Sequence, residues 1–194
     1  MAAADLDRKI LDASADLIAE RGVRNVSFRE VARRAGVSHQ MPYHIFKNLQ
    51  GILTALAREG FSTLAAQMNA AADAESDAGD RLTAAGFAYV DFACSHVGHF
   101  RVMFQRALVD VHDPDAPMEE AERTHATLVR LAEEAAAAGY GRGLPGDALA
   151  ALAWSTAHGI ATLLIEGTMP DKGPVPEDPS EVGHAVVRAL CHLL

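Results

Sequence analysis

Cysteine is scarce: Cys94 and Cys191 are the only two in 194 residues. Two thiols far apart in the chain, each in an apolar helical pattern, make neither a disulfide framework nor a zinc ligand set. They read as buried free thiols of a protein kept in a reducing compartment. Long apolar runs are also missing. No 18-residue apolar stretch lacks polar interruptions, and residues 1–20 carry charges throughout, so neither a membrane span nor a secretory signal is expected. The expected location is the cytoplasm, with no membrane partner. β-branched runs are few beside the abundant Ala, Leu, Glu and Arg, which leaves little from which to build a sheet and points to an all-α fold. There is no internal repeat and no low-complexity tract. No Ser-His-Asp arrangement, P-loop or dinucleotide glycine motif occurs, so nothing supports an enzyme, and no cofactor is expected.

What is present is an uneven distribution of charge. The chain holds 17 Lys+Arg against 26 Asp+Glu, a net charge of −9. Residues 21–47 run the other way, with six basic side chains (Arg21, Arg24, Arg29, Arg33, Arg34, Lys47) and one acid, Glu30. A basic patch attracts phosphates while an acidic body holds the rest of the protein away from them, the footprint of a nucleic-acid reader.

Local signals in that basic region describe two short helices around a tight turn. Ser27 and Glu30 form an S-x-x-E capping box, so a helix should start at Phe28, with Val31, Ala32 and Ala35 on its inner face. Gly36 sits where that helix must stop, in a conformation that suits glycine. Ser38 is placed to cap the next helix, with Pro42 in its first turn and Ile45 and Phe46 turning inward. Ser27, Arg29, Arg33, Arg34, Ser38, His39, Gln40, Tyr43, His44 and Lys47 are left as the candidate DNA-binding set. A helix presented beyond a glycine turn is a standard way into the major groove.

Ser27-Phe28-Arg29-Glu30-Val31-Ala32, Ala35-Gly36-Val37-Ser38 and Pro42-Tyr43-His44-Ile45-Phe46 resemble the DNA-binding domain of the TetR family of bacterial repressors. Leu49 stands where that family usually has a phosphate-contacting lysine, a contact that Lys47 could take over. Gln40 replaces the usual small residue early in the recognition helix. Further on, Trp154-Ser155-Thr156-Ala157-His158-Gly159 resembles the Trp…His-Gly signature of one TetR C-terminal subgroup, which lies between ligand pocket and dimer interface. The resemblance implies a nine-helix fold: a three-helix helix-turn-helix domain over residues 1–47, and a helical ligand-binding and dimerisation domain over 48–194. It also implies a ligand-responsive regulator, a repressor released from a palindromic operator when an effector binds. Its partners would be double-stranded DNA, a second copy of the chain and an unknown small molecule.

Apolar periodicity supplies the helices. A first amphipathic helix (Leu6, Ile10, Ala13, Leu17, Ile18) is stopped by Gly22. A fourth is expected over 48–74, a polar loop over 75–80, a fifth helix over 81–95 and a sixth over 99–109 after a turn at Gly98. A proline- and aspartate-rich break covers 112–117. A seventh helix follows over 118–138, an eighth from 145 or 146 to 167, a loop over 168–179 and a ninth helix over 179–194. The eighth is apolar on most of its circumference and should be buried on more than one side. In the ninth, Val182, Ala185, Val186, Ala189, Leu190 and Leu193 form a stripe. With Leu152, Ile160 and Leu163 of the eighth, Val182, Val186, Ala189, Leu190 and Leu193 make the candidate dimer interface, although periodicity alone allows an intrachain bundle too. A dimer is what the head requires, because two recognition helices about 34–36 Å apart read half-sites one helical turn apart. Met68, Phe87, Tyr89, Met103, Phe104, His125, Trp154 and His158 are the candidate lining of a pocket for an apolar or aromatic effector. A different class is a helical metal or di-iron protein using the E-x-x-H pairs Glu122/His125 and Glu181/His184. Asp91, Cys94, His96 and His99 form another possible metal cluster.

Overall fold

The computed structural model describes residues 3–105, 107–109, 118–168 and 178–193. These form nine α-helices: α1 (Ala3–Arg21), α2 (Phe28–Ala35), α3 (Met41–Phe46), α4 (Leu49–Asp73), α5 (Ala78–Ser95), α6 (Val97–Met103), α7 (Glu119–Ala137), α8 (Gly146–Ile165) and α9 (Pro179–Leu193). No strand occurs among the described residues, so the fold is all-α as expected. The breaks expected at 112–117 and over most of 168–179 fall on residues outside those described.

The chain divides into two compact units, residues 1–61 with 96–119, and residues 62–95 with 120–194, so that α4 contributes to both. In the first unit, Ile10, Leu17 and Ile18 of α1, Val31 and Ala32 of α2, and Ile52 and Leu56 of α4 are fully buried and form the core. Gly22, at φ +75°, ends α1, and an unexpected 3-10 turn over Val23–Asn25 leads into α2. Helix α6 packs on α1. The first-unit core also takes in Phe61 and Phe104, whose rings meet edge-on at 5.5 Å. In the second unit, α5 packs on both α8 and α9, and α8 packs on α9. Phe92, Leu131 and Leu149 are among its fully buried side chains.

Four expectations need correction. Helix α5 begins at Ala78, not Arg81, because the Asp77 carboxylate accepts from the N–H groups of Gly79 (2.8 Å) and Asp80 (3.1 Å) and caps a turn that two small residues had disguised as loop. Gly98 is not a turn but lies inside α6, and that helix runs over 97–103 instead of 99–109. A Cβ on Gly98 would lie 2.1 Å from the carbonyl oxygen of Ala15, so glycine here admits one helix backbone against another. Ser38 does not cap α3: Gln40 holds the N-cap position, without a side-chain cap bond, and Pro42 falls at the second helical residue. Cys94 and Cys191 are free thiols but half-buried.

Helix α8 is also less enclosed than its composition suggests. Its mean hydropathy of 1.6 is high enough, by length and composition, for a membrane span, yet only 28% of that window is buried. Ala157, Ile160 and Ala161 face the interior, whereas Trp154, Ser155, Gly159 and Leu163 are exposed. In α9 the inward positions are Ser180, Gly183 and Val187. Ala185, Val186 and Ala189 are exposed, and Val182 and Leu190 are half-buried.

Candidate nucleic-acid interface and effector site

The head assembles from local bonds. Ser27 Oγ accepts from the Glu30 N–H, so the capping box forms at its serine end, while the Glu30 carboxylate turns to Arg21 and, at 3.7 Å, to Arg33. Gly36 adopts the left-handed conformation (φ 68°, ψ 32°) that ends α2, and the Val37 N–H closes the turn onto Ala32 O at 3.0 Å. Beyond it, Ser38, His39, Gln40, Tyr43, His44 and Lys47 are all exposed, as are Ser27, Arg29, Arg33 and Arg34 before it. The Tyr43 ring stands edge-on to buried Phe28 at 4.2 Å, which fixes the ring while 58% of the residue stays exposed.

The ten candidate residues are not equally available. Arg34 is held by Glu20 and, at 3.9 Å, by Asp16 of α1, and its hydrogen bond keeps the Glu20 carboxyl below the usual carboxylate range. Arg29 and Lys47 make no ion pair among the described residues. Lys47 has a positive φ of 62°, and the next N–H, of Asn48, folds back onto Phe46 O at 2.7 Å in a γ-turn, a tight and strained link between α3 and α4. Asn48 then caps α4 through its side chain, which accepts from the Gly51 N–H at 2.9 Å. Leu49 is half-buried as the first residue of α4.

The candidate effector residues do not all come together. Met103 and Phe104 belong to the first unit, where Met103 lies over Gly60 and Phe104 meets Phe61 and Phe100. Tyr89, His125, Trp154 and His158 do gather in the second unit. The Tyr89 hydroxyl lies 2.8 Å from His158 Nδ1, and the Trp154 ring stands 6.4 Å from His125 and 6.2 Å from His158. Burial pushes the Tyr89 hydroxyl well above the usual tyrosine range and lowers the His158 pKa, so both groups are neutral. Met68 is buried elsewhere on α4, and Phe87 stacks on His184 at 4.5 Å.

Burial likewise lowers the His99 pKa, against the opposing pull of Glu59, whose Oε1 lies 3.7 Å from His99 Nε2. Both histidines thus have folded-state pKa values below the ordinary 6.5. Across the window beneath about 6.5 the unfolded chain binds more protons, so stability falls as pH is lowered. Thermal unfolding should show a declining Tm from about pH 7.5 to about pH 5.5. A flat profile would remove both histidines from the account.

The two E-x-x-H pairs go to different uses. His125 meets Trp154, whereas His184 Nε2 lies 2.7 Å from Asp91 Oδ1. Among the described residues no three of His, Cys, Asp or Glu are grouped as metal ligands. Sequence reasoning missed Arg101, whose guanidinium donates to Ile18 O (3.2 Å) and Ala19 O (2.7 Å) at the end of α1. The spacing of Gly98 and Arg101, three apart and so on one helical face, is the signal that could have marked a close helix crossing there.

Residues 10–56 match the bacterial regulatory proteins of the tetR family, and residues 82–190 match the tetracyclin repressor-like C-terminal domain. The uncharacterized HTH-type transcriptional regulator YobS of Bacillus subtilis (strain 168) is 31% identical over 106 residues, 55% of this chain and 53% of that protein, so the chain spans about half the length of that relative. A protein of unknown function from Rhodococcus sp. RHA1 is 34% identical, with a TM-score of 0.75 over 97% of this chain and 95% of that one. A tetR-family bacterial regulatory protein from Rhodococcus RHA1 has the same fold, with a TM-score of 0.72 at 23% identity over 97% and 96% of the two chains. With one match on the basic head and another over most of the acidic body, the chain belongs to the TetR family, a family of DNA-binding bacterial transcriptional regulators.

Proposed function

We propose that the protein is a ligand-responsive transcriptional repressor that binds a palindromic operator as a cytoplasmic homodimer and releases it when a small apolar or aromatic effector binds. Residues 1–47 would read DNA, and residues 48–194 would bind the effector and dimerise. The observation that carries this reading is the exposed set around the Gly36 turn, Arg29, Ser38, His39, Gln40, Tyr43, His44 and Lys47, on a head that is basic in an acidic chain. Arg29, Tyr43 and Lys47 would hold phosphates, with Arg34 set back by its bonds to α1. Gln40 caps nothing with its amide, so that group is available to a base edge, and adenine is the base that offers a matching donor and acceptor.

Dimerisation is supported by the exposed apolar positions of α8 and α9, Leu163 and Val186 among them. The Tyr89–His158 bond, with the Trp154 ring beside His158, joins α5 to the exposed side of α8, which supports placing the effector against them: a ligand that bound one arrangement better would shift the population of dimers away from the spacing that fits the operator.

Sequencing of DNA selected from a random library by the full chain tests the operator reading. A palindromic consensus is expected, and no consensus would sink it. Tyr43→Phe should then weaken binding to all sequences alike by about fivefold, the worth of one hydrogen bond. Gln40→Ala should relax one base position by about 1–3 kcal/mol of discrimination, and an unchanged ranking of operators would remove Gln40 from the reading set. Operator titrations with and without apolar and aromatic candidates test release. Affinity that no bound ligand changes would refute it.

A further inference from the structure

A cavity of about 560 Å³ opens in the second unit where the start of α5, the end of α7, the start of α8 and the end of α9 meet. Its size is within the range of small-molecule sites, roughly 300–1,000 Å³. Of the candidate effector residues only Phe87 lines it, so it stands apart from the Tyr89–His158–Trp154 group. The floor is apolar, with buried Leu82 and Leu149 beside the Phe87 ring. The rim carries charge of both signs: Arg188 on α9, and Glu75 and Asp80 at the entry to α5. None of these three makes an ion pair among the described residues.

The rim is built rather than loose. Arg188 is seated over the Phe87 ring, with its guanidinium carbon 5.4 Å from the centroid. Elsewhere on the lining the Tyr140 hydroxyl donates to Asp77 Oδ1 at 2.8 Å, and the same carboxylate holds the N–H groups of Gly79 and Asp80. The Tyr140 ring can lie there only because residue 79 has no side chain, since a Cβ would come within 2.6 Å of it. Asp80 is thereby anchored at its backbone.

We propose that this cavity binds a zwitterionic small molecule with an apolar body, the class of the free hydrophobic α-amino acids. A lone anion would gain Arg188 but face two carboxylates, and a lone cation would gain the carboxylates but face the guanidinium. A molecule carrying both charges satisfies both sides, while its body covers Leu82, Leu149 and Phe87.

Isothermal titration of the full chain tests this with L-phenylalanine and L-leucine as probes. Two single-charge analogues are the comparison: 3-phenylpropanoate lacks the ammonium, and phenethylamine lacks the carboxylate. At least one amino acid should bind, and the analogues should bind about tenfold more weakly or worse, the loss expected for one charge-assisted hydrogen bond. Arg188→Gln should lower amino-acid affinity about tenfold, with the unfolding temperature of the free protein falling by no more than about 4 °C, the worth of the exposed contact over the Phe87 ring. The proposal is overturned by no heat from either amino acid at millimolar concentration, by an analogue that binds as tightly as the zwitterion, or by an Arg188→Gln variant with wild-type affinity. None of these outcomes depends on DNA binding, so they leave the operator reading to its own test.

Discussion

Gly98→Ala should destabilise the protein by about 2–3 kcal/mol, enough to lower Tm by about 5–10 °C in a chain of this length. The added methyl would lie 2.1 Å from the Ala15 carbonyl oxygen and 2.7 Å from its carbonyl carbon, backbone atoms that no rotamer change can move aside. Helix α6 would have to lift off α1, and the bonds from Arg101 to Ile18 O and Ala19 O would stretch with it. Alanine's better helix propensity returns up to about 1 kcal/mol and is already counted in the net figure. Urea unfolding followed by circular dichroism measures the difference. A variant as stable as the parent would mean that α6 has room the packing does not show.

A charge on the outer side of α8 should act in the opposite way, with little effect on folding and a large effect on assembly. Leu163 is 43% exposed in the single chain, so arginine there keeps its head in water and leaves the fold intact. In the proposed dimer the same side chain would be buried without a partner, at a cost of several kcal/mol on each side of the two-fold. Leu163→Arg should therefore sediment as a monomer at concentrations where the parent is a dimer. Its operator affinity should fall by about 10²–10⁴-fold, because two heads no longer bind as one unit. Sedimentation velocity and operator titration, with thermal unfolding as the control, check this. A dimeric Leu163→Arg protein with parental affinity would move the interface away from α8.

The parts of the fold that could be read from sequence are those whose causes lie within a few residues. Ser27 bonds to Glu30, three positions on, and the Gly36 turn closes between residues 32 and 37, so both could be seen as short patterns. Gly98 could not, because what makes it necessary is Ala15, brought up by a different stretch of chain. Read alone, a glycine between two histidines looks like a turn. The ninth helix was legible as a helix but not in which face turns inward. Gly183 and Val187 line the inside while Ala185, Val186 and Ala189 line the outside, and both faces are small or apolar, so periodicity could not rank them. The Tyr89–His158 bond spans 69 residues. The spacing of Trp154 and His158 put those two on one face, and Tyr89 stood with them among the candidate lining residues, but nothing local paired its hydroxyl with His158. Start points of helices were misplaced where a cap was overlooked, as at Asp77, and where a serine resembled a cap and the chain used the following turn instead, as at Ser38.

The first unit is assembled from two separated lengths of chain, residues 1–61 and 96–119. During synthesis, then, the N-terminal segment leaves the ribosome with the α6-facing side of α1 bare and the carbonyls of Ile18 and Ala19 without the guanidinium that later reaches them. Its final packing must wait until residues 97–103 have been made, so the first unit is completed only after all of α4 and α5 has been synthesised. A recombinant fragment cut after Phe61 would lack the same cover, which a fragment extended through α6 would keep.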